Sequence, residues 1–149
     1  MKSKFVLAAA ATLLSGSMAY ADAHAASGDA AAGEAVFRQC AACHNVVNEA
    51  GDVLAGRPNM RTGPNLYGVA GKPYGDIEDF RWSPGLQALN EAGVIITEET
   101  FVAYIQDPTG FIREATGDNS LRGAMAAQRM RSEEDAVNLY AYIVSLAAE

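Results

Sequence analysis

Apolar side chains recur at helical spacing near the end of the chain and predict a C-terminal helix. Ser132 and the acids behind it suit the start of this helix, because a serine side chain caps free backbone N–H groups and the helix dipole favours acids there. The apolar positions that follow are Ala136, Leu139, Tyr140, Ile143 and Leu146. Their spacing places them on one face of a helix.

Three further helices are predicted from start and stop signals. The first begins after Asp29, a good N-cap, and reaches about Cys43. The second begins at Ser83-Pro84 and runs through about Asn90, since proline is tolerated at the first helical position. The third begins at Thr97 and ends at Asp107-Pro108.

The segment between residues 45 and 65 is predicted to be mostly loop. It contains three glycines and two prolines, which interrupt regular structure. No stretch of useful length in the chain alternates between apolar and polar residues as a half-buried strand does. We therefore predict an all-α domain of short helices and long loops.

The first residues have the pattern of a secretory signal peptide. Lys2 and Lys4 precede an apolar run from Phe5 to Leu14, and Ala19-Tyr20-Ala21 is a cleavage site of small residues. The alternative, a retained membrane anchor, is disfavoured because the run is shorter than the ~20 residues that span a bilayer. We predict a signal peptide in residues 1–21 and an exported domain in residues 22–149 without stable membrane insertion.

Composition narrows the class of protein. The chain has 149 residues, of which 50% are hydrophobic and 19% charged, as expected for one globular domain. Its 11 basic residues face 18 acidic ones, a net charge of -7. The net charge therefore argues against nucleic acid as a partner, because binding phosphates requires clustered Lys and Arg.

Candidate chemistry is concentrated in the motif Cys40-Ala41-Ala42-Cys43-His44. On a helix, residues three and four positions apart share one face. The two thiols can then add to the vinyl groups of one haem while the imidazole of His44 binds its iron. Two alternatives fit less well: a thioredoxin-like redox pair needs a βαβ context, and a zinc site needs four ligands where this cluster offers three. We predict one covalently attached haem c.

A haem iron needs a second axial ligand, and the candidates are few. His24 lies close to the predicted mature N-terminus, where chain ends are commonly poorly fixed, so ligation by two histidines is disfavoured. The mature chain has three methionines, although core packing is the more common role for any one of them. We predict Met125, which has loop on both sides and the backbone freedom of Gly123 beside it, ahead of Met130 and then Met60.

These features resemble class I cytochrome c, particularly the bacterial cytochrome c2 type. The resemblance covers about Gly28 to Leu146 and implies the class I cytochrome c fold, in which short helices and long loops surround one covalently bound haem. Besides the haem motif, the matching residues are Gly33, Phe37, the run Thr62-Gly63-Pro64-Asn65-Leu66-Tyr67-Gly68, the run Tyr104-Ile105-Gln106-Asp107-Pro108, Met125, Leu139 and Tyr142. Gly33 and Phe37 match a contact with the last helix.

The resemblance also implies roles for four residues around the haem. Pro64 matches the proline whose carbonyl accepts a hydrogen bond from the proximal histidine. Tyr104 matches a tyrosine near the methionine sulfur. Lys72 and Trp82 match positions near the haem propionates, where a cation and an indole N–H are both useful. Ordinary aromatic core packing is an equally good interpretation of Tyr104 and Trp82.

The chain departs from the family pattern at three places. Ile96 stands where the family usually has tryptophan, and Ala127 stands where an aromatic residue commonly follows the axial methionine. Arginine replaces the usual lysines at the haem edge. The arginines near the predicted methionine loop and Pro64 are Arg113, Arg122, Arg129, Arg131, Arg57 and Arg61. They form either a docking face or merely a solvated surface.

The resemblance implies a periplasmic one-electron carrier rather than an enzyme. It would act as a monomer, reduced by a membrane quinol:cytochrome c oxidoreductase and oxidised by a terminal oxidase, a photosynthetic reaction centre or a soluble reductase, each docked transiently. The sequence does not choose among these acceptors. Two alternatives stay open: a haem enzyme or gas-binding protein with an open or labile sixth iron position, and a thiol-disulfide enzyme without haem.

Overall fold

A computed structural model describes residues 25–78 and 80–148. The predicted signal peptide, its cleavage site and His24 lie outside these residues. The helices are α1 (Ala30–Phe37), α2 (Pro84–Glu91), α3 (Glu98–Gln106), α4 (Pro108–Thr116) and α5 (Glu133–Ser145), with a short 3-10 helix at Cys40–Ala42 and two strands, β1 (Val46–Val47) and β2 (Val53–Ala55). None of the described helices combines the length and apolarity of a membrane-spanning segment.

The predicted helix starts are confirmed, and each is capped by a side chain. Asp29 accepts hydrogen bonds from the backbone N–H groups of the first turn of α1. Ser83 and Ser132 cap α2 and α5 in the same way. At α3 the caps are reciprocal, because Thr97 accepts from the backbone of Thr100 while the Thr100 side chain accepts from the backbone of Thr97.

The first helix is shorter than the sequence predicted. It ends at Phe37 rather than near Cys43, and the haem motif forms a separate 3-10 turn. The carbonyl of Cys40 accepts from the N–H of Cys43 at 3.0 Å and from that of His44 at 2.9 Å. The motif therefore keeps a helical turn although it is not part of α1. The helix ends where its last buried residue, Phe37, packs its ring against Tyr142 of α5, 5.6 Å between centroids.

One helix was not predicted at all. Asp107-Pro108 ends α3, as expected, but it also begins α4. The Asp107 carboxylate accepts from the N–H of Gly110 at 2.9 Å, and Pro108 occupies the first helical position. The helix stops at Gly117, whose φ of 72° suits glycine and whose N–H donates to the carbonyl of Arg113.

A small hairpin lies inside the segment that was predicted to be loop. β1 and β2 pair antiparallel, with Val46 opposite Ala55 and Val47 opposite Val53. Asn48 closes the turn, since its side chain accepts from the N–H of Asp52 at 2.8 Å. Strands of two and three residues are too short to produce a readable alternation.

α1 packs closely against α5, as the resemblance implied. A Cβ on Gly33 would lie 2.6 Å from the backbone carbonyl carbon of Asn138 and 2.8 Å from Cβ of Tyr142, so only glycine permits this approach. Leu139, Tyr140 and Ile143 on α5 are at most 2% exposed. The first and last helices thus pack together, and the segments between them carry the candidate site.

Candidate functional site

Cys40, Cys43 and His44 occupy one turn of chain directly after α1. Cys40 is half-buried and Cys43 exposed, and both are free thiols. Burial, and secondarily the neighbouring Cys43, raise the pKa of Cys40 to about 11. A reactive redox cysteine has a lowered pKa instead, so the thiol-disulfide interpretation is disfavoured.

His44 is oriented by the carbonyl oxygen of Pro64, which lies 2.9 Å from its Nδ1. A carbonyl only accepts, so Nδ1 carries the proton and Nε2 keeps a free lone pair. Burial lowers the pKa of His44, and the hydrogen bond to Pro64 opposes this only in part. The imidazole is therefore held neutral at pH 7, in the form that binds metals.

The backbone of Gly63 packs directly against the His44 ring. A Cβ on Gly63 would lie 2.6 Å from Nδ1 and 2.8 Å from Nε2 of that ring, closer than any side chain tolerates. The N–H of Gly63 also donates to the carbonyl of Cys43 at 2.8 Å, which fixes the loop against the haem motif. This role of Gly63 was not predicted from the sequence, although the residue directly precedes Pro64, whose contact with His44 the resemblance implied.

Asn65 attaches the Pro64 loop to β1. Its side-chain oxygen accepts from the N–H of Val47 at 2.9 Å, and its amide donates to the carbonyl of the same residue at 2.8 Å. This pair of bonds holds the carbonyl of Pro64 in place beside His44. The role of Asn65 was not predicted, because nothing local in the sequence shows which residue it faces.

The loop of residues 117–132 between α4 and α5, here called the methionine loop, contains two of the three candidate methionines. Met125 is half-buried and packs against the core. Hydrogen bonds on either side bracket it: the N–H of Gly123 donates to the Thr109 hydroxyl at 3.1 Å, and the N–H of Gln128 donates to the carbonyl of Ile105 at 2.7 Å.

The other two methionines have different surroundings. The sulfur of Met130 accepts a hydrogen bond from the side-chain amide of Gln39, 3.2 Å away. Met60 is half-buried and lines a surface cleft of about 480 Å³ together with Phe80 and Arg81. The thioether of Met130 is thus already engaged by another side chain.

Tyr104, on α3, packs in an aromatic cluster with residues of other segments. Its ring centroid is 5.0 Å from that of Tyr74 and 5.9 Å from that of Phe111. Burial raises the pKa of Tyr104 to about 12, so its hydroxyl stays protonated at neutral pH. The core-packing interpretation of Tyr104 therefore holds, whether or not its hydroxyl also acts on a methionine.

Trp82 and Lys72, which the resemblance placed near the haem propionates, both have other polar or charged groups beside them. The indole N–H of Trp82 donates to the carbonyl of Ile77 at 3.2 Å. A bond to a propionate would have to share or replace that contact. Lys72 is exposed and lines a surface cleft of about 520 Å³ with the acidic residues Asp76 and Glu78.

The residues present fit a covalently bound haem. A neutral imidazole with a free Nε2 and two thiols lie in one turn, as thioether attachment and iron ligation require. Apolar side chains around this turn and the methionine loop are only partly buried, which leaves apolar surface for a macrocycle; they include Cys40, Leu66, Leu121, Met125 and Met130. Within residues 25–78 and 80–148, no group of three His, Cys, Asp or Glu side chains forms a metal site, so nothing there supports the zinc alternative.

Comparisons with known proteins agree with this assignment. No model of a protein family matches the chain. The chain is 52% identical over 120 residues to cytochrome c2 of Rhodovulum adriaticum, an alignment that covers 80% of this chain and 94% of that protein. It is 43% identical over 121 residues to cytochrome c2 of Cereibacter sphaeroides, covering 80% of this chain and 96% of that one.

Solved structures give the same result for the fold. Cytochrome c2 from Rhodobacter sphaeroides superposes with a TM-score of 0.75 at 43% identity, over 79% of this chain and 95% of that one. Cytochrome c2 from Paracoccus denitrificans superposes with a TM-score of 0.72 at 28% identity, over 81% and 98%. The predicted fold class is confirmed, with the small hairpin as an addition. The chain belongs to the cytochrome c2 family: it is a c-type cytochrome with the class I cytochrome c fold, one covalently bound haem c and the function of carrying electrons.

Proposed function

We propose that this protein is a soluble periplasmic one-electron carrier whose haem is attached at Cys40 and Cys43 and ligated by His44 and Met125. The observation that carries this proposal is the fixed orientation of His44, with Nδ1 on the carbonyl of Pro64 and the ring against Gly63. When bound, the haem supplies the redox chemistry, because its iron alternates between the ferrous and ferric states.

The protein's own contribution would be to hold the side chains of His44 and Met125 where a haem iron could bind them. The Pro64 carbonyl holds the His44 tautomer and raises the basicity of Nε2. Asn65 holds that carbonyl through its two bonds to β1. A ligand set that moves little between oxidation states suits rapid electron transfer, whereas an open position suits a haem enzyme.

Two observations support Met125 as the sixth ligand. It lies in the middle of the bracketed span between Gly123 and Gln128, away from the start of α5. Met130 lies two residues before Ser132, which caps α5, and its sulfur is engaged by Gln39. The departure at Ala127 does not alter these contacts.

The redox partners we propose are those of the family pattern. The donor is a membrane quinol:cytochrome c oxidoreductase, and the acceptor is a terminal oxidase, a reaction centre or a soluble reductase, each docked transiently by a monomeric carrier. Exposed arginines at the methionine loop and before Pro64 would meet an acidic partner surface; they are Arg57, Arg61, Arg122, Arg129 and Arg131. The periplasmic location rests on the signal-peptide pattern in residues 1–21.

The sixth ligand decides between a carrier and a haem enzyme, and single substitutions test it. We expect Met125→Ala to lower the reduction potential, abolish the sulfur-to-iron absorption band and let carbon monoxide bind readily, because a thioether favours ferrous iron and blocks the site. Met130→Ala and Met60→Ala are the matched controls and should change none of the three. If the unaltered protein binds carbon monoxide freely at neutral pH, the haem-enzyme alternative replaces the carrier.

A further inference from the structure

Two side chains of α4 hold the N-terminal part of the methionine loop. Nε of Arg113 donates to the carbonyl of Leu121 at 3.0 Å, and the Thr109 hydroxyl accepts from the N–H of Gly123 at 3.1 Å. The two contacts lie two residues apart on the loop and one turn apart on α4. Met125 follows the second of them by two residues.

Arg113 is suited to this contact by its place in the helix. It lies in the last turn of α4, where the helix dipole favours a cation, and it is partly buried. Its carbonyl accepts from the N–H of Gly117 at 2.9 Å while its guanidinium holds Leu121. Arg113 therefore holds the methionine loop at two places, Gly117 and Leu121. The bond to Leu121 has a charged donor, and such hydrogen bonds are stronger than neutral ones.

Close packing leaves the held segment little room to shift. A Cβ on Gly123 would lie 2.9 Å from Cβ of Pro108, and a Cβ on Gly85 of α2 would lie 2.6 Å from the carbonyl oxygen of Arg122. Gly123 is not among the residues with positive φ. The prediction that Gly123 supplies backbone freedom is therefore wrong, because its missing side chain instead allows a close approach to α4.

From these contacts we propose that Arg113 and Thr109 are positioning residues, which keep Met125 at the haem iron by holding Leu121 and Gly123 on α4. The proposal rests on the proposed ligation by Met125. Neither residue contacts the ligand sulfur or the cofactor, and both act through the loop backbone. For Arg113 this differs from the docking role that the sequence suggested.

The test measures how easily Met125 leaves the iron. Cyanide binds the ferric protein only after the methionine has moved away, so its binding rate reports opening of the loop. We expect Arg113→Gln and Thr109→Val to bind cyanide about tenfold faster than the unaltered protein, as the loss of one such hydrogen bond implies. Glu114→Gln removes a charge from an exposed side chain next to Arg113 on α4 and should stay within about twofold. Thr109→Ser keeps the hydroxyl and should restore the original rate.

A second measurement separates positioning from general stability. The sulfur-to-iron band and the helical circular dichroism are followed during heating of the ferric protein. We expect Arg113→Gln and Thr109→Val to lose the band at a lower temperature while the helices melt almost as before. Equal shifts of both signals, or cyanide rates equal to that of Glu114→Gln, would overturn the proposal. If instead Met125→Ala retains the band, the ligand assignment itself fails and the positioning proposal fails with it.

Discussion

The close packing of Gly63 against the His44 ring can be tested by adding one methyl group. In Gly63→Ala, the new Cβ would begin 2.6 Å from Nδ1 of the ring, whereas carbon and nitrogen atoms pack at about 3.5 Å. The ring or the loop must therefore move by about 0.9 Å. Neither can move that far without disturbing the 2.9 Å contact between Nδ1 and the Pro64 carbonyl or the 2.8 Å bond between Gly63 and Cys43.

The cost can be worked out from these two effects. Overpacking a confined site costs about 1–3 kcal/mol, and a lost hydrogen bond adds about 0.5–1.5 kcal/mol. We expect Gly63→Ala to lower the free energy of unfolding of the haem-loaded protein by about 1.5–4.5 kcal/mol. Guanidinium titration at constant slope measures it. Thr62→Ala, at an exposed neighbouring position, is the control and should stay within about 0.5 kcal/mol. If Gly63→Ala behaves like this control, the ring is not confined as described.

Two further predictions concern attachment and docking. Because both thiols form thioether bonds, the mature protein should keep its haem through acid-acetone extraction, and Cys40→Ala with Cys43→Ala should abolish stable incorporation; cysteines that react freely with an alkylating reagent in the mature protein would contradict this. Reversing Arg122 and Arg129 to Glu should slow association with an acidic redox partner, most strongly at low salt, much more than reversing Glu133 to Arg alters it. Stopped-flow electron-transfer rates across a salt series measure this, and equal effects at all three positions would mean that the docking face lies elsewhere.

The helix starts could be predicted because their signals are local. Asp29, Ser83, Thr97 and Ser132 each cap the residues directly behind them, so the sequence contains both partners of the contact. The missed helix α4 shows the limit of this approach. Asp107-Pro108 carries a stop signal and a start signal at once, and the stop was used alone.

The site was predictable in its chemistry and only partly in its geometry. The haem motif is a contiguous run, so its residues could be named without a structure. The contacts that fix those residues join distant parts of the chain. Gln39 and Met130 are 91 residues apart, and Pro64 is 20 residues from His44. The resemblance to known cytochromes predicted the contact between His44 and Pro64, and nothing in the sequence predicted the contact between Gln39 and Met130.

Asp107, where α3 ends and α4 begins, also lies between the two residues that hold the methionine loop on either side of Met125. The two hydrogen bonds that bracket Met125 end close together in the sequence. Gln128 donates to Ile105 and Gly123 donates to Thr109, on either side of Asp107. The span between the brackets therefore begins and ends on the same rigid support. We expect insertions or deletions within it to leave the packing of α1 against α5 unchanged, because neither bracketing hydrogen bond involves those two helices. Residues 124–127 are therefore the segment in which we expect changes of length to alter the position of the Met125 side chain while both ends stay fixed.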